Sequence, residues 1–456
     1  MSTHSEHPAN AASPQPVLFD GPTAAPPPPA PGAPSRPRLR EADRTQLQIR
    51  PFDLESLLPE DHRARLVWAY VEGLDLTPLY QPIQAVEGEA GRPATDPKIL
   101  LALWLYATVE GVGSARALDR LCGTAVAYQW LCGGVPMNYH TLADFRTGHG
   151  AFLDTLLTQS VAILLAQGLV TLARVAQDGM RVRASAGAAS FRRGATLASC
   201  LAEAAGQVQA LRAELEEDPR ATTARQEAAR ARVARERQAR VADALAQLPA
   251  VQAKKQPEDR ATARVSTTDP DARVMKMADG GYRPAYNLQF ATETASQVIV
   301  GVDATNQGTD HGQLAPMVAQ LEMRHGTAPA AMLVDGGFAG KADIAAASER
   351  TTVYAPVQQP KDATRDPHAP LPTDAPAIAA WRARMGTPEA QAIYKERAAT
   401  AECVNAQARN RGLRQLAVRG LAKVRTIALW YALAHNLMRM VALGAFGGFF
   451  HRGGGV

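Results

Sequence analysis

Near residue 172 the spacing of apolar residues changes. Upstream, from about 50 to 170, apolar positions recur every three or four residues between Gly-containing breaks, the pattern of packed helices. Downstream, "LARVAQDG" (172–179), "AYNLQFATE" (285–293), "QVIVGVDAT" (297–305), "AAMLVDGGF" (330–338) and "TTVYAPV" (351–357) are short runs of the kind that form strands. A chain with this change is neither one bundle nor one uniform sheet. From 172 the order is strand, inserted helices, strand, strand, helix, strand, strand, helices. A three-stranded antiparallel start followed by alternation predicts a mixed α/β sheet with helices packed on it.

Local signals divide the chain further. At 456 residues two or three domains are expected. Residues 1–44 are rich in Pro, Ala and Ser, cannot bury enough apolar surface to offset ordering entropy, and are expected to be disordered. Residues 45–170 form an expected all-α part. There Asp96-Pro97 caps "KILLALWLYATVEG" up to Gly111, Ser114 caps "ARALDRLC", and Thr141 with Asp144 opens the long run that follows. Short helices with tight turns are compatible with a helix-turn-helix module. Residues 171–442 carry the sheet, with a helical insertion at about 190–280 whose hairpin breaks near Asp218-Pro219. Residues 443–456 are read as a flexible tail.

Composition narrows the class. Net charge is +5 and the pI is about 9.1, which fits a nucleic-acid partner without requiring one. Cys122, Cys132, Cys200 and Cys403 show no CxxC or zinc-type spacing, so thiols in a reducing compartment are expected. No charged-then-apolar signal opens the chain, and Ile427–Leu443, its most apolar late stretch, is broken by His435, Asn436 and Arg439. A cytoplasmic protein without a membrane partner is expected.

Two features point to chemistry. Asp178 and Asp335 are each read at the C-terminal end of a strand and each precedes glycine; acids there project into the loops where open α/β sheets place their sites. Asp-Gly is also a common turn dipeptide, so either acid alone carries little. The second feature is Glu402, after which the chain has no Asp or Glu, while Arg409, Arg411, Arg414, Arg419, Lys423, Arg425, Arg439 and Arg452 follow. A lone acid heading a basic region suits a cation site beside a phosphate-binding surface; the plainer reading is a solvated basic face. Glu402 and Arg409, seven apart on a helix, share a face. Two strand acids and a helix acid are the oxygen ligands that two Mg²⁺ or Mn²⁺ ions, about 4 Å apart, would need for phosphodiester cleavage.

The chain resembles insertion-sequence transposases of bacteria, with a DDE core on a ribonuclease-H-like fold. The matching stretches are "AQDGMRVRASAGAASFRR", "STTDPDARVMKMADGGYRPAYNLQFATE", "MLVDGGFAG" and "YKERAATAECVNAQARNRGLRQLAVRGLAKV", with "TDPKILLALWLYATVEGVGSARALDRLC" and "MNYHTLADFR" in the N-terminal part. The resemblance implies that Asp178, Asp335 and Glu402 are the catalytic, metal-binding acids and that Tyr394, Arg397 and Arg409 belong to the signature around the third. Arg411 and Arg414 extend the expected DNA-binding set. Arg397 stands five residues before Glu402, one more than the usual spacing, which would rotate it off the Glu face. Asp303, with Asp310 and His311 close by, competes for the second acid and Glu396 for the third; Asp279 reads as a turn residue. The implied function is cleavage of inverted-repeat DNA ends and joining of their 3′-OH groups to target DNA, with double-stranded DNA as partner and a homodimer or larger synaptic complex as assembly. A catalytically silent DNA-binding descendant and an unrelated metal-dependent nuclease are the alternatives.

Overall fold

The computed structural model describes residues 53–85, 93–217, 224–360, 362 and 364–445. The expected tail at 1–44, the hairpin break at Asp218-Pro219 and most of 443–456 lie outside them.

The first seven helices are α1 (Arg63–Glu72), α2 (Thr77–Tyr80), α3 (Pro97–Val109), α4 (Ala115–Thr124), α5 (Val126–Cys132), α6 (Tyr139–Gly148) and α7 (Gly150–Ala166). Asp96 caps α3 through Lys98 N (2.8 Å), with Pro97 in the first turn, as its sequence predicts. All but one of the residues of α3 are buried, as suits a helix apolar all round. The run expected to start at a Thr141/Asp144 box is capped one turn earlier: Asn138 Oδ1 accepts the N–H groups of His140 (3.1 Å) and Thr141 (3.0 Å). It is also two helices, bent by 62° at His149. Gly150 lies there against Thr426, too close for a side chain. Among the described residues no single helix is long and apolar enough to cross a membrane.

Next come β1 (Arg174–Arg183), the two-residue β2 (Phe191–Arg192), the hairpin helices α8 (Gly194–Glu217) and α9 (Ala224–Ala253), and β3 (Val265–Ser266), which pairs with β2. Then follow β4 (Arg273–Lys276), β5 (Tyr282–Glu293), β6 (Ile299–Thr305), α10 (Leu314–His325), β7 (Ala331–Leu333), α11 (Lys341–Ser348) and β8 (Thr352–Tyr354). The chain continues through α12 (Pro376–Met385), α13 (Pro388–Arg397), α14 (Cys403–Asn410) and α15 (Leu421–Ala442).

The main sheet has six strands in the order β4-β5-β1-β7-β8, with β6 beside β5. β5 is antiparallel to β1, β4 and β6; β7 runs parallel to β1 and β8. The mixed α/β sheet read from the sequence is thus present. One reading changes. β1 does not end at Asp178: pairing with β5 continues to Arg183, because Met180 and Val182 alternate into the core. β7, by contrast, accompanies β1 only from Arg174 to Ala176. Asp178 therefore sits in mid-strand, just where β1 loses its parallel neighbour.

α15 joins the helical part to the sheet. Trp430 donates to Arg146 O in α6 (2.9 Å), and Asn436 bonds Ile299 N and O at the start of β6 (both 2.8 Å). His435 and Arg439 meet the carbonyls of Gln297 (2.8 Å) and Ser296 (2.9 Å). The polar residues that interrupt this apolar stretch thus satisfy backbone groups of the β5–β6 turn. A continuous core runs from Leu58 and α3 through α15 to β5 and β6.

Candidate functional site

Three carboxylates distant in sequence meet one guanidinium. Arg397 Nη2 lies 3.3 Å from Asp178 Oδ1 and 3.6 Å from Asp335 Oδ2, and its Nη1 lies 4.0 Å from Glu402 Oε1. The sheet explains the convergence. Where β7 stops pairing with β1, the chain leaves β7 for a short 3₁₀ turn, Gly336–Phe338, capped by Asp335, whose Oδ1 accepts Gly337 N at 2.8 Å. Asp178 and Asp335 flank the gap that opens there, and the α13–α14 segment supplies the residues that close it.

That segment holds the main departure from expectation. On a regular α-helix, residues five apart differ by roughly 140°, so Arg397 and Glu402 should diverge. Instead the backbone forms one π-helical turn, Ala398–Glu402, between α13 and α14. A π-turn links residues five apart and absorbs one extra residue, so Arg397 stands beside Glu402. Thr400 and Ala401 anchor the turn in the interior. Ala401 packs with Ala176 of β1 and with Ala331 and Leu333 of β7, and small side chains there let the helix approach the strands closely.

Asn405, which the sequence reading did not single out, donates to Asp178 Oδ2 at 2.9 Å. Its position three residues after Glu402, on the same helix face, was the available signal. Asp178 Oδ1 also accepts the N–H of Gly179 (2.9 Å). Burial pushes the Asp178 carboxyl up to about 6; Arg397 opposes this, the charges of Asp335 and Asp310 add to it, and the Gly179 N–H opposes it. Tyr394, half-buried on α13, has its phenol pushed up by burial first, with Asp335 and Asp178 adding and Arg397 opposing. It therefore lies within the electrostatic reach of the cluster.

The remaining sequence candidates separate. Arg409 and Arg414 are exposed, with Arg414 Nε donating to Arg409 O (3.2 Å). Arg411 is half-buried away from the acids: its backbone abuts Gly111 after α3, its carbonyl accepts the Tyr431 hydroxyl (2.8 Å), and burial lowers its guanidinium. Among the competing acids, Glu396 ties α13 to β1 and β5 by pairing with Arg174 and accepting from Thr294 (3.1 Å). Asp303 pairs with Arg425 (3.5 Å), and Asp279 binds Arg283 and Gly281 N within its turn. Asp310 does lie beside the site. It is 8% exposed, and its Oδ1 accepts from Asn287 (2.6 Å) and Gln289 (2.8 Å).

Three carboxylates of this kind form a donor set for a hard divalent cation completed by water or phosphate oxygens. Among the described residues no group of three His, Cys, Asp or Glu side chains stands in metal-holding geometry; the guanidinium of Arg397 is the cation between the acids. Like charges so placed need a counter-cation, and in this structure that cation is the Arg397 guanidinium.

Two family models match the chain. One, described as a transposase domain (DUF772), covers residues 52–148, the segment of α1–α6. The other, described as a transposase DDE domain, covers 373–441, including Tyr394, Arg397, Glu402, Asn405 and Arg409. Asp178 and Asp335 lie between the matched segments. No curated protein and no solved structure matches. The two models match in chain order at either end of the resemblance, and together they support an insertion-sequence DDE transposase.

Proposed function

We propose that this transposase binds the inverted-repeat ends of its element, cleaves them by metal-dependent phosphodiester hydrolysis, and joins the freed 3′-OH ends to target DNA. The observation that carries the reading is the convergence of Asp178, Asp335 and Glu402 on Arg397 from two strands and a helix. We read the sheet as a ribonuclease-H-like core, supported by its antiparallel β1, β5 and β6 followed by parallel β7 and β8. The helices before β1 are assigned to end binding.

Asp178, Asp335 and Glu402 would hold two Mg²⁺ or Mn²⁺ ions, which supply activation of the attacking oxygen and charge neutralisation at the departing one. Asn405 and the N–H of Gly179 orient Asp178; the N–H of Gly337 orients Asp335. In the first step a water oxygen bonds to the scissile phosphorus, the P–O3′ bond breaks, and the 3′ oxygen leaves as a hydroxyl. In the second, that hydroxyl attacks a target phosphodiester, forming one P–O3′ bond as another breaks. Arg409 and Arg414, both exposed, would meet backbone phosphates. Two ends must be held together, so a dimer or larger synapse is the assembly.

The test compares binding and cleavage in one Mg²⁺ buffer. Asp335→Asn should bind end DNA at least as tightly as the wild type and fail to cut it, because a ligand is lost while a negative charge near the phosphates is removed. Cleavage at the wild-type rate would show that Asp335 holds no catalytic ion. A catalytically silent chain would bind ends and cut none, even unsubstituted.

A further inference from the structure

The glycines that follow the first two acids share one neighbour. Neither Gly179 nor Gly337 has a positive φ, so backbone conformation does not demand glycine at either position. Close approach does. A Cβ on Gly179 would overlap Oδ1 of Asp310 and lie 2.7 Å from Gln289 Nε2 and 2.8 Å from Asn287 Oδ1. A Cβ on Gly337 would lie 2.9 Å from Asp335 Oδ1 and 3.4 Å from Asp310 Oδ2. The two acid-glycine pairs therefore make room for the same buried carboxylate, and Oδ2 of Asp310 and Oδ1 of Asp335 lie against one point.

Asp310 is held as a built group. Asn287 and Gln289 saturate its Oδ1, and Gln289 is itself fixed by Gln177, whose Nε2 donates to Gln289 Oε1 at 3.0 Å. Its Oδ2 forms a loose ion pair with Arg181 Nη2 at 3.8 Å and accepts no hydrogen bond from it. A second observation points to a missing partner. Asn405, 4% exposed, gives its Nδ2 to Asp178, while its Oδ1 is buried with no hydrogen-bond partner; Arg397 Nε is likewise buried and unpaired. Buried acceptors are ordinarily satisfied, and a hydrated cation among these carboxylates would satisfy that oxygen.

We propose that Asp310 is a fourth carboxylate of the acid site, holding a divalent cation jointly with Asp335 through its Oδ2. The inference rests on the metal-dependent reading of the three acids.

The test is calorimetric titration of the full chain with Mn²⁺ alone, without DNA. Asp310→Asn keeps the Oδ1 acceptor for Asn287 and Gln289 and removes only the anionic oxygen. It should weaken Mn²⁺ binding about tenfold or more, with the metal-free melting temperature little changed. If Asp178→Asn and Asp335→Asn weaken Mn²⁺ binding but Asp310→Asn does not, the role of Asp310 is overturned and the three-acid reading stands. If none of the three weakens it, the metal reading itself fails. Should Asp310→Asn not fold, Fe²⁺ bound to the wild-type chain with ascorbate and peroxide provides a second measurement. Backbone cuts beside Asp310 as well as beside Asp178 and Asp335 support the assignment; cuts beside the latter two alone overturn it.

Discussion

Arg397 and Glu402 stand 4.0 Å apart, guanidinium Nη1 to carboxylate Oε1, across a helical turn that holds one residue more than an α-helix allows. The extra residue does not separate them, because the π-turn absorbs it in place and leaves α13 and α14 seated on either side. The same guanidinium reaches Asp178 and Asp335, so this local irregularity decides whether the acids share a counter-cation at all.

The turn should tolerate shortening. Ala399 is exposed, while Thr400 and Ala401 are its anchors. Deleting Ala399 should convert the π-turn into regular α-helix with Arg397 and Glu402 still on one face. The expected result is a chain that melts no lower than the wild type. A large fall in melting temperature would mean that the π-turn sets the placement of α14 and is not a local insertion.

The metal-free chain should lose stability as pH rises through the acid range. Asp178 has an ordinary value of 3.8 and is pushed up to about 6 in the folded state. Between these values the folded chain retains a proton that the unfolded chain has lost, so stability falls as pH rises through that window and levels off above it. The effect is on the order of 2–3 kcal/mol. Urea unfolding in chelator should show this slope, and Asp178→Asn should flatten it. Arg397→Gln should extend the window upward, since the guanidinium holds Asp178 down. An unchanged slope in Asp178→Asn would locate the titration elsewhere.

The basic run should divide by function. Arg409→Ala should weaken binding to DNA of any sequence and make the plot of log affinity against log salt shallower by about one unit. Arg411→Ala should leave that slope alone and lower stability instead, because the Arg411 side chain is itself partly buried and its packing would be lost. Equal salt slopes in Arg409→Ala and the wild type would make the exposed arginines a solvated surface only.

Gly179→Ala should be costly for a positional reason. Its methyl group has no room beside Asp310, which Asn287 and Gln289 hold in place. A loss of about 1–3 kcal/mol is expected in urea unfolding, typical of overpacking. Asp310→Ala in the same chain should recover part of it, since the two sites are in contact. Strictly additive losses would show that the strain lies elsewhere.

Much of this was legible in the chain itself. The strand runs, the cap at Asp96-Pro97, the mixed sheet and the acids Asp178, Asp335 and Glu402 follow from local periodicity, capping chemistry and charge distribution, which nearby residues control. The sequence also flagged the one-residue excess between Arg397 and Glu402, but not its resolution. Whether an extra residue rotates a helix or is absorbed as a π-turn depends on what anchors both sides, here the packing of Ala401 on β1 and β7.

The other decisions needed long-range pairing. Asp178 looked like a strand end because Asp-Gly is a turn signal; pairing with β5, more than a hundred residues away, carries the strand on to Arg183. Arg411 could not be told from Arg409 by composition, since only the packing of α3 beside the 411–412 backbone turns one inward and leaves the other in solvent. Asp310 gained its place from the amides of Asn287 and Gln289 on β5 and from two glycines on separate strands or loops. Sequence determines which side chains can carry charge and which segments form strands or helices. Which carboxylates meet is decided by where β7 stops pairing with β1, a property of the folded sheet.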